Sequence, residues 1–234
     1  MSSDSEMFDS GRAWAVAVGA MIAVGISFGV LYTFGAFVSS MATEFNAGLG
    51  LTSLMFGITM FLFFGTGAIS GRWCDRYGPR PLLAIGGSLF VGGLVAASFT
   101  TAIWQSYVVY GVGLGFGGGL YCSPLFSTVA TFFVKYRALA QGVAATGSGI
   151  GTLLLVPFAK SLIETEGWRG AFRVLAVISA VCLVIATFLV RRSPVQTQAS
   201  SKNHVGLVVK TSEFKILCGA SALMSTALMA AFAF

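Results

Sequence analysis

The sequence predicts an all-α polytopic membrane protein, and three observations carry that prediction. The 234-residue chain is 56% hydrophobic and 9% charged, with a mean hydropathy of +0.86, which is far too apolar for a soluble domain. Its apolar residues form runs of about 20 residues or more, the length that crosses the hydrocarbon of a bilayer. Its charges fall in the short segments between those runs. We therefore attribute the net charge of +6 to basic residues that set the orientation in the membrane, and we expect no nucleic-acid partner.

Six membrane spans follow one another along the chain, each near or above the required length. They are predicted at residues 13–38, 51–70, 81–99, 105–134, 138–163 and 170–190. Residues 1–12 are predicted to form an N-terminal tail, and the polar segment 191–213 a flexible linker. A seventh apolar run at 216–234 predicts that residues 214–234 begin a second bundle whose first helix is truncated.

The placement of the basic residues predicts the orientation. With the N-terminus inside the cell, only Lys160, Arg169 and Arg173 of the 14 basic residues face outward, and the other 11 fall in cytoplasmic segments. Cytoplasmic loops of membrane proteins collect lysine and arginine in this way. The sequence therefore predicts a multi-pass protein of the plasma (inner) membrane with a cytoplasmic N-terminus, linker and second loop.

That second loop, residues 71–81, carries a motif between the second and third spans. The residues Gly71, Asp75, Arg76, Gly78 and Arg80 fit the pattern G-x-x-x-D-R-x-G-[RK]-[RK]. At this point the chain resembles the major facilitator superfamily of transporters, which carry the pattern between their second and third helices. Pro79 departs from it, because a basic residue is usual there.

Further segments are similar to the monocarboxylate transporter branch and its oxalate/formate antiporter relatives. They are residues 32–35, 132–142, 146–151 and 167–169. The resemblance implies the six-helix N-terminal half of a twelve-span fold, followed by a truncated seventh helix. We expect the chain either to be a fragment or to work with a second half, since alternating access needs two halves around a central site. The resemblance also implies a gating role for the 71–80 motif, in which Asp75 meets a helix of the C-terminal half.

Hydroxyl groups are the best candidates for contacting a substrate. No ionisable side chain lies deep within the six predicted spans, so the counter-charge for an anion would come from the second half. Tyr121 and Ser123 stand beside Pro124, and Tyr32 lies in the Gly-rich first span. Each tyrosine could instead pack between helices with its hydroxyl on a carbonyl, and Thr146 could bond its own helix. The predicted substrate-binding residues are Tyr32, Tyr121, Ser123 and Thr146.

The predicted activity is secondary transport of a small organic anion, either a monocarboxylate or a short dicarboxylate. A transporter of another small solute, such as a sugar or a drug, and a structural or regulatory half-protein remain the alternatives. An enzyme is not expected, because the sole histidine, His204, lies in the linker and no buried acid could orient it. No cofactor or metal site is predicted, and the four cysteines are widely spaced like packed thiols.

Glycine spacing predicts close helix packing. The pairs 25/29, 67/71, 111/115, 115/119 and 147/151 each lie four residues apart, on one helix face. Small residues at this spacing let membrane helices approach closely.

Overall fold

Helices form every regular element in residues 9–191, the part of the chain that the computed structural model describes. The first four are α1 (Gly11–Glu44), α2 (Leu49–Tyr77), α3 (Pro79–Ala97) and α4 (Ile103–Phe132). A further helical stretch, Arg137–Leu189, is broken at Gly167, whose φ of 71° and ψ of 169° are not helical. We label its two parts α5 (137–166) and α6 (168–189).

The helices cross the bundle alternately, as loop contacts show. Asp9 donates its backbone N–H to Phe132 O at the end of α4, and Arg80 at the start of α3 binds carbonyls at the end of α6. We call this end of the bundle the Arg80 side. At the other end, the Glu44 side, Glu44 at the end of α1 pairs with Arg169 at the start of α6. All five continuous helical stretches are long and apolar enough to span a membrane, and the break at Gly167 makes six crossings.

Glycines set the closest helix contacts. A Cβ added to Gly29 of α1 would lie 2.7 Å from the carbonyl oxygen of Gly151 in α5, and one added to Gly25 would lie 2.9 Å from that of Gly147. These two predicted pairs therefore pack against each other, because no larger residue fits the approach of the two backbones. The pair at 67/71 differs, since a Cβ at Gly71 would meet nothing within 4 Å.

Two helix ends and one internal segment differ from the spans predicted above. Helix α1 continues six residues past the predicted end at Val38, and α2 continues through the charged motif to Tyr77. With 29 residues, α2 is about 43 Å long, which exceeds the roughly 30 Å of hydrocarbon, so its charged last turns extend beyond the apolar layer. Helix α4 contains a π-helical segment at Gly111–Phe116, which the apolar pattern does not reveal. The predicted linker from residue 192 onward and the seventh run lie outside the described residues.

Candidate functional site

The turn between α2 and α3 is built on a glycine and a proline. Gly78 has a φ of 89°, a backbone conformation that favours glycine, and its N–H donates to Cys74 O at 2.7 Å. Pro79 follows as the first residue of α3, where the missing N–H of proline would have no helical partner anyway. The departure of Pro79 from the family pattern is thus compatible with a tight helix-to-helix turn.

Arg80 fastens this turn to the end of α6. Its Nε donates to Val190 O at 2.7 Å and to Thr187 O at 3.3 Å, and its Nη2 donates to Phe188 O at 3.2 Å. The last carbonyls of a helix have no partner within the helix and carry partial negative charge, so a guanidinium stabilises them. In this structure Arg80 therefore anchors α3 to α6 within the described bundle.

The other motif residues have open surroundings. Asp75 is exposed on the last turn of α2 and makes no hydrogen bond or ion pair with any residue in 9–191. Arg76 is also exposed, and its guanidinium carbon lies 5.3 Å from the centre of the Tyr77 ring. The Asp75 carboxylate is thus available to a partner, which leaves its gating role a prediction.

Two of the predicted substrate-binding side chains, Tyr32 and Ser123, are accessible, and their hydroxyls are unpaired within residues 9–191. Tyr32 is 40% exposed, and its ring stacks on Phe28 with 6.2 Å between the centroids. Ser123 is exposed on α4 beside Gly67 of α2. Among the described residues neither hydroxyl has a hydrogen-bond partner. An unpaired hydroxyl in hydrocarbon costs free energy, so both groups are available to bond to water, a ligand or another part of the protein.

Tyr121 is placed differently, in a buried contact between α1 and α4. It is 1% exposed, and its hydroxyl lies 2.5 Å from Ser27 Oγ. Ser27 donates its only proton to Ala23 O at 2.7 Å, so Tyr121 must be the donor to Ser27. The geometry matches the alternative of a phenol packed between helices, and a direct bond from Tyr121 to a substrate would require this contact to open.

Thr146 and Ser123 lie near one level of the bundle, and Tyr32 lies at another. Thr146 is exposed, but its hydroxyl donates to Val143 O at 2.8 Å within its own helix. The contacts of Gly25 with Gly147 and of Ser27 with Tyr121 place Thr146 and Ser123 near the level of Gly25. Tyr32 is seven residues further along α1, about 10 Å toward the Glu44 side. The four residues therefore do not form one cluster.

The Glu44 side holds a charged cluster that the sequence analysis missed. The Glu44 carboxylate accepts hydrogen bonds from Trp168 Nε1 and from the guanidinium of Arg169. Arg169 also donates to Thr100 O at 2.8 Å and lies 4.2 Å from the centre of the Trp168 ring. In the sequence, the segment Gly167-Trp168-Arg169 indicated only a family resemblance. No residue pattern near Glu44 predicts that its partners lie more than 100 residues away.

A second missed contact holds the residues before α1. The Asp9 carboxylate accepts the backbone N–H groups of Lys135 at 3.1 Å and of Tyr136 at 3.2 Å, just before α5 begins. A carboxylate at the start of a helix satisfies free N–H groups and complements the helix dipole. Asp9 lies in the predicted tail, and no sequence pattern there indicates that its carboxylate caps α5, a helix far along the chain.

No cluster of side chains in residues 9–191 could hold a metal ion. Cys74 and Cys122 are buried and Cys182 is half-buried, as predicted for packed thiols, while Cys218 lies outside the described residues.

Comparison with known proteins places the chain in a family. The model of the Major Facilitator Superfamily matches residues 20–234. Monocarboxylate transporter 1 of Bos taurus is 30% identical over 91% of this chain, and monocarboxylate transporter 4 of Rattus norvegicus is 34% identical over 82%. The chain covers 42% and 40% of these two relatives. Both are named as transporters, in agreement with the prediction that the chain is not an enzyme.

A solved structure supports the same fold. The inward-open xylose transporter from E. coli superposes with a TM-score of 0.63 over 92% of this chain and 56% of its own length. At 19% sequence identity this likeness concerns the fold alone. The six crossings, the match over residues 20–234 and this superposition agree, and the chain belongs to the major facilitator superfamily.

Proposed function

We propose that the chain is the N-terminal half of a secondary transporter that moves a small organic anion, a monocarboxylate or a short dicarboxylate, by alternating access. The observation that carries the proposal is the similarity to monocarboxylate transporters, at 30% and 34% identity over most of this chain. The chain spans less than half the length of these relatives, so the proposed partner is a C-terminal half that completes the substrate path.

The accessible face of α1 supports this arrangement. Tyr32, Gly35 and Ser39 lie at successive turns of α1 and are all exposed. Together with Ser123 on α4, they give this part of the bundle polar and small side chains with no formal charge. We infer that Tyr32 and Ser123 contact substrate or cavity water, and that the anion's counter-charge comes from the second half.

The two remaining predicted substrate-binding residues need a change of contact before they could bind substrate directly. Thr146 would have to release Val143 O, and Tyr121 would have to leave Ser27. We therefore propose that Tyr121 supports the site by fixing α1 against α4, and that Thr146 contributes its methyl group and Cβ to the wall.

Orientation and domain limits complete the proposal. Seven basic residues of the described chain lie toward the Arg80 side and three toward the Glu44 side, so we propose that the Arg80 side faces the cytoplasm. The protein would then sit in the plasma (inner) membrane with a cytoplasmic tail at 1–12, a cytoplasmic linker at 191–213 and the start of the second bundle at 214–234. Asp75 would act as a latch on the cytoplasmic side, at the first turn of a helix of the second half.

Transport measurements test the proposal. The complete product of the reading frame that contains this chain would be reconstituted into proteoliposomes, and uptake of radiolabelled pyruvate, oxalate and xylose compared. We expect saturable uptake of at least one of the two anions. Tyr32→Phe should raise the KM for that anion, whereas the control Tyr77→Phe, a change of another exposed tyrosine at the end of α2, should not. Uptake of xylose without either anion would overturn the proposed substrate class.

A further inference from the structure

A groove between α3 and α6 is not used by the proposed transport path. It has a volume of about 580 Å³, within the range of roughly 300–1,000 Å³ that small-molecule sites occupy. Every described residue that lines it belongs to α3 or α6, and none of them comes from the helices that carry Tyr32 and Ser123. Small residues open it, among them Ala84, Gly87 and Gly92 of α3 and Ala180 of α6.

The chemistry of the lining suits a hydrocarbon chain. Among the described residues of the lining, the two that carry hydroxyl groups are Ser88 and Thr187, and each donates to a carbonyl of its own helix, at 2.8 Å to Ala84 O and at 2.7 Å to Leu183 O. Their only protons are therefore used, and the rest of the lining is apolar. None of the described lining side chains therefore offers a free hydrogen-bond donor to a polar solute.

The groove has the length of one bilayer leaflet. On α3 the lining runs from Leu83 to Gly92, about 13 Å at 1.5 Å per residue, and on α6 from Ala180 to Phe188, about 12 Å. The hydrocarbon core of a bilayer is roughly 30 Å thick, so the groove extends over nearly one half of it. An acyl chain that starts at the Arg80 side would end near the middle of the membrane.

Two arginines stand at the Arg80 end of the groove. Arg80 donates to the carbonyls of Thr187 and Phe188, which both line the groove, and it uses only its Nε and one Nη2 proton for these bonds. The remaining guanidinium protons of this exposed side chain have no partner in residues 9–191. Arg191, also exposed, follows Val190, whose carbonyl Arg80 binds as well. Basic groups at this position between membrane helices are suited to an anionic lipid headgroup.

We propose that the groove between α3 and α6 binds an anionic phospholipid, with one acyl chain along Gly87 and Gly92 and the phosphate on Arg80 and Arg191. The acyl chain fills the groove and covers its apolar lining. The phosphate satisfies the free guanidinium protons while Arg80 keeps its bonds to the end of α6. The lipid thereby joins α3 to α6 at the same point as Arg80 does.

Lipid titration followed by native mass spectrometry tests the proposal on the complete protein in detergent. The probes are phosphatidylglycerol and phosphatidylcholine with identical acyl chains, and glycerol 3-phosphate as the headgroup without chains. We expect one phosphatidylglycerol to bind in preference to phosphatidylcholine. Gly92→Leu should abolish that site, because a Cβ at Gly92 meets nothing within 4 Å and the added side chain fills the groove without disturbing the fold. Ala96→Leu, on the exposed surface of α3 outside the groove, should bind like the parent.

The headgroup contact needs its own variants. Arg191→Gln leaves the bonds of Arg80 intact and should weaken phosphatidylglycerol about fivefold, the effect of the roughly 1 kcal/mol that one basic residue contributes near an anionic lipid surface. Arg80→Gln should weaken it at least as much. Equal affinity for the two lipids, binding to the Gly92→Leu variant, or full competition by glycerol 3-phosphate would each overturn the proposal. So would a Ser88→Cys variant that cross-links to a second protein chain in membranes, because a protein would then fill the groove.

Discussion

The buried hydroxyl pair of Tyr121 and Ser27 allows a prediction whose sign depends on which residue is the donor. Tyr121 donates to Ser27, and Ser27 donates to Ala23 O. In Tyr121→Phe the donated bond is lost but the proton of Ser27 keeps its acceptor. Hydrogen bonds between membrane helices contribute about 0.6 kcal/mol on average and up to about 1.7 kcal/mol, so we expect the free energy of unfolding to fall by that amount.

Ser27→Ala should cost more, although it removes a smaller group. It leaves the hydroxyl of Tyr121, which is 1% exposed, without an acceptor, and an unsatisfied buried hydroxyl costs about 1–3 kcal/mol. The double variant removes both groups and leaves nothing unpaired. Its loss of stability should therefore be close to that of Tyr121→Phe alone and short of the sum of the single variants by about 1–3 kcal/mol.

The measurement is reversible unfolding of the complete protein in mixed micelles of mild detergent and SDS, followed by circular dichroism. Tyr107→Phe is the matched control, because it removes an exposed phenol bond, to Leu51 O at 2.8 Å, and should change stability by only a few tenths of a kcal/mol. Strictly additive losses, or a larger loss in Tyr121→Phe than in Ser27→Ala, would refute the assignment of donor and acceptor.

Three further perturbations address the latch, the packing and the surface charges. Asp75→Asn should slow uptake while membrane insertion, measured by protease protection, stays intact; unchanged kinetics would exclude the latch. Gly151→Leu should prevent folding, since overpacking costs at least about 1–3 kcal/mol and its Cβ would overlap the backbone of α1, whereas Gly149→Leu has open space and should fold, as thermal unfolding would show. Glu44→Gln should lower stability by less than about 1 kcal/mol, because the pair with Arg169 is half exposed, and by still less in high salt; a loss of several kcal/mol would contradict this.

The fold could be predicted from sequence because the membrane imposes one simple rule on the whole chain. A run that crosses hydrocarbon must be helical and apolar, and its length is set by the thickness of the bilayer. The number of crossings, their order and the glycine spacing at 25/29 and 147/151 follow from patterns that are local in sequence, whereas the contact between these two glycine pairs was found only in the structure. Helix ends were predicted less well, because α2 continues through the charged motif to Tyr77, although the apolar run ends before Gly71.

The candidate site was only partly predictable, for a different reason. The predicted hydroxyl residues were identified by type, but whether a hydroxyl is free depends on its neighbours. Ser123 has no described partner, whereas Tyr121, two residues earlier on α4, is bonded to Ser27 at a distance of 94 residues along the chain. Long-range pairs such as Glu44 with Arg169 leave no periodic signal, so composition and spacing could not reveal them.

The arrangement of satisfied and unsatisfied polar groups bears on how the proposed half-transporter would move. Arg80 ties α3 to α6, Glu44 ties α1 to α6, and Asp9 ties the start of α1 to the start of α5, so both ends of the bundle are cross-linked by charged groups. Between the two ends, glycine contacts hold the helices close together.

In contrast, Asp75 and Tyr32 are exposed and have no hydrogen-bond partner in the described chain. A body that is braced internally and carries its free polar groups on its surface is what rocking of two rigid halves requires. The motif contains both kinds of residue: Gly78 and Arg80 hold the turn within the described bundle, and Asp75 is exposed on α2, where the proposed latch requires it to be.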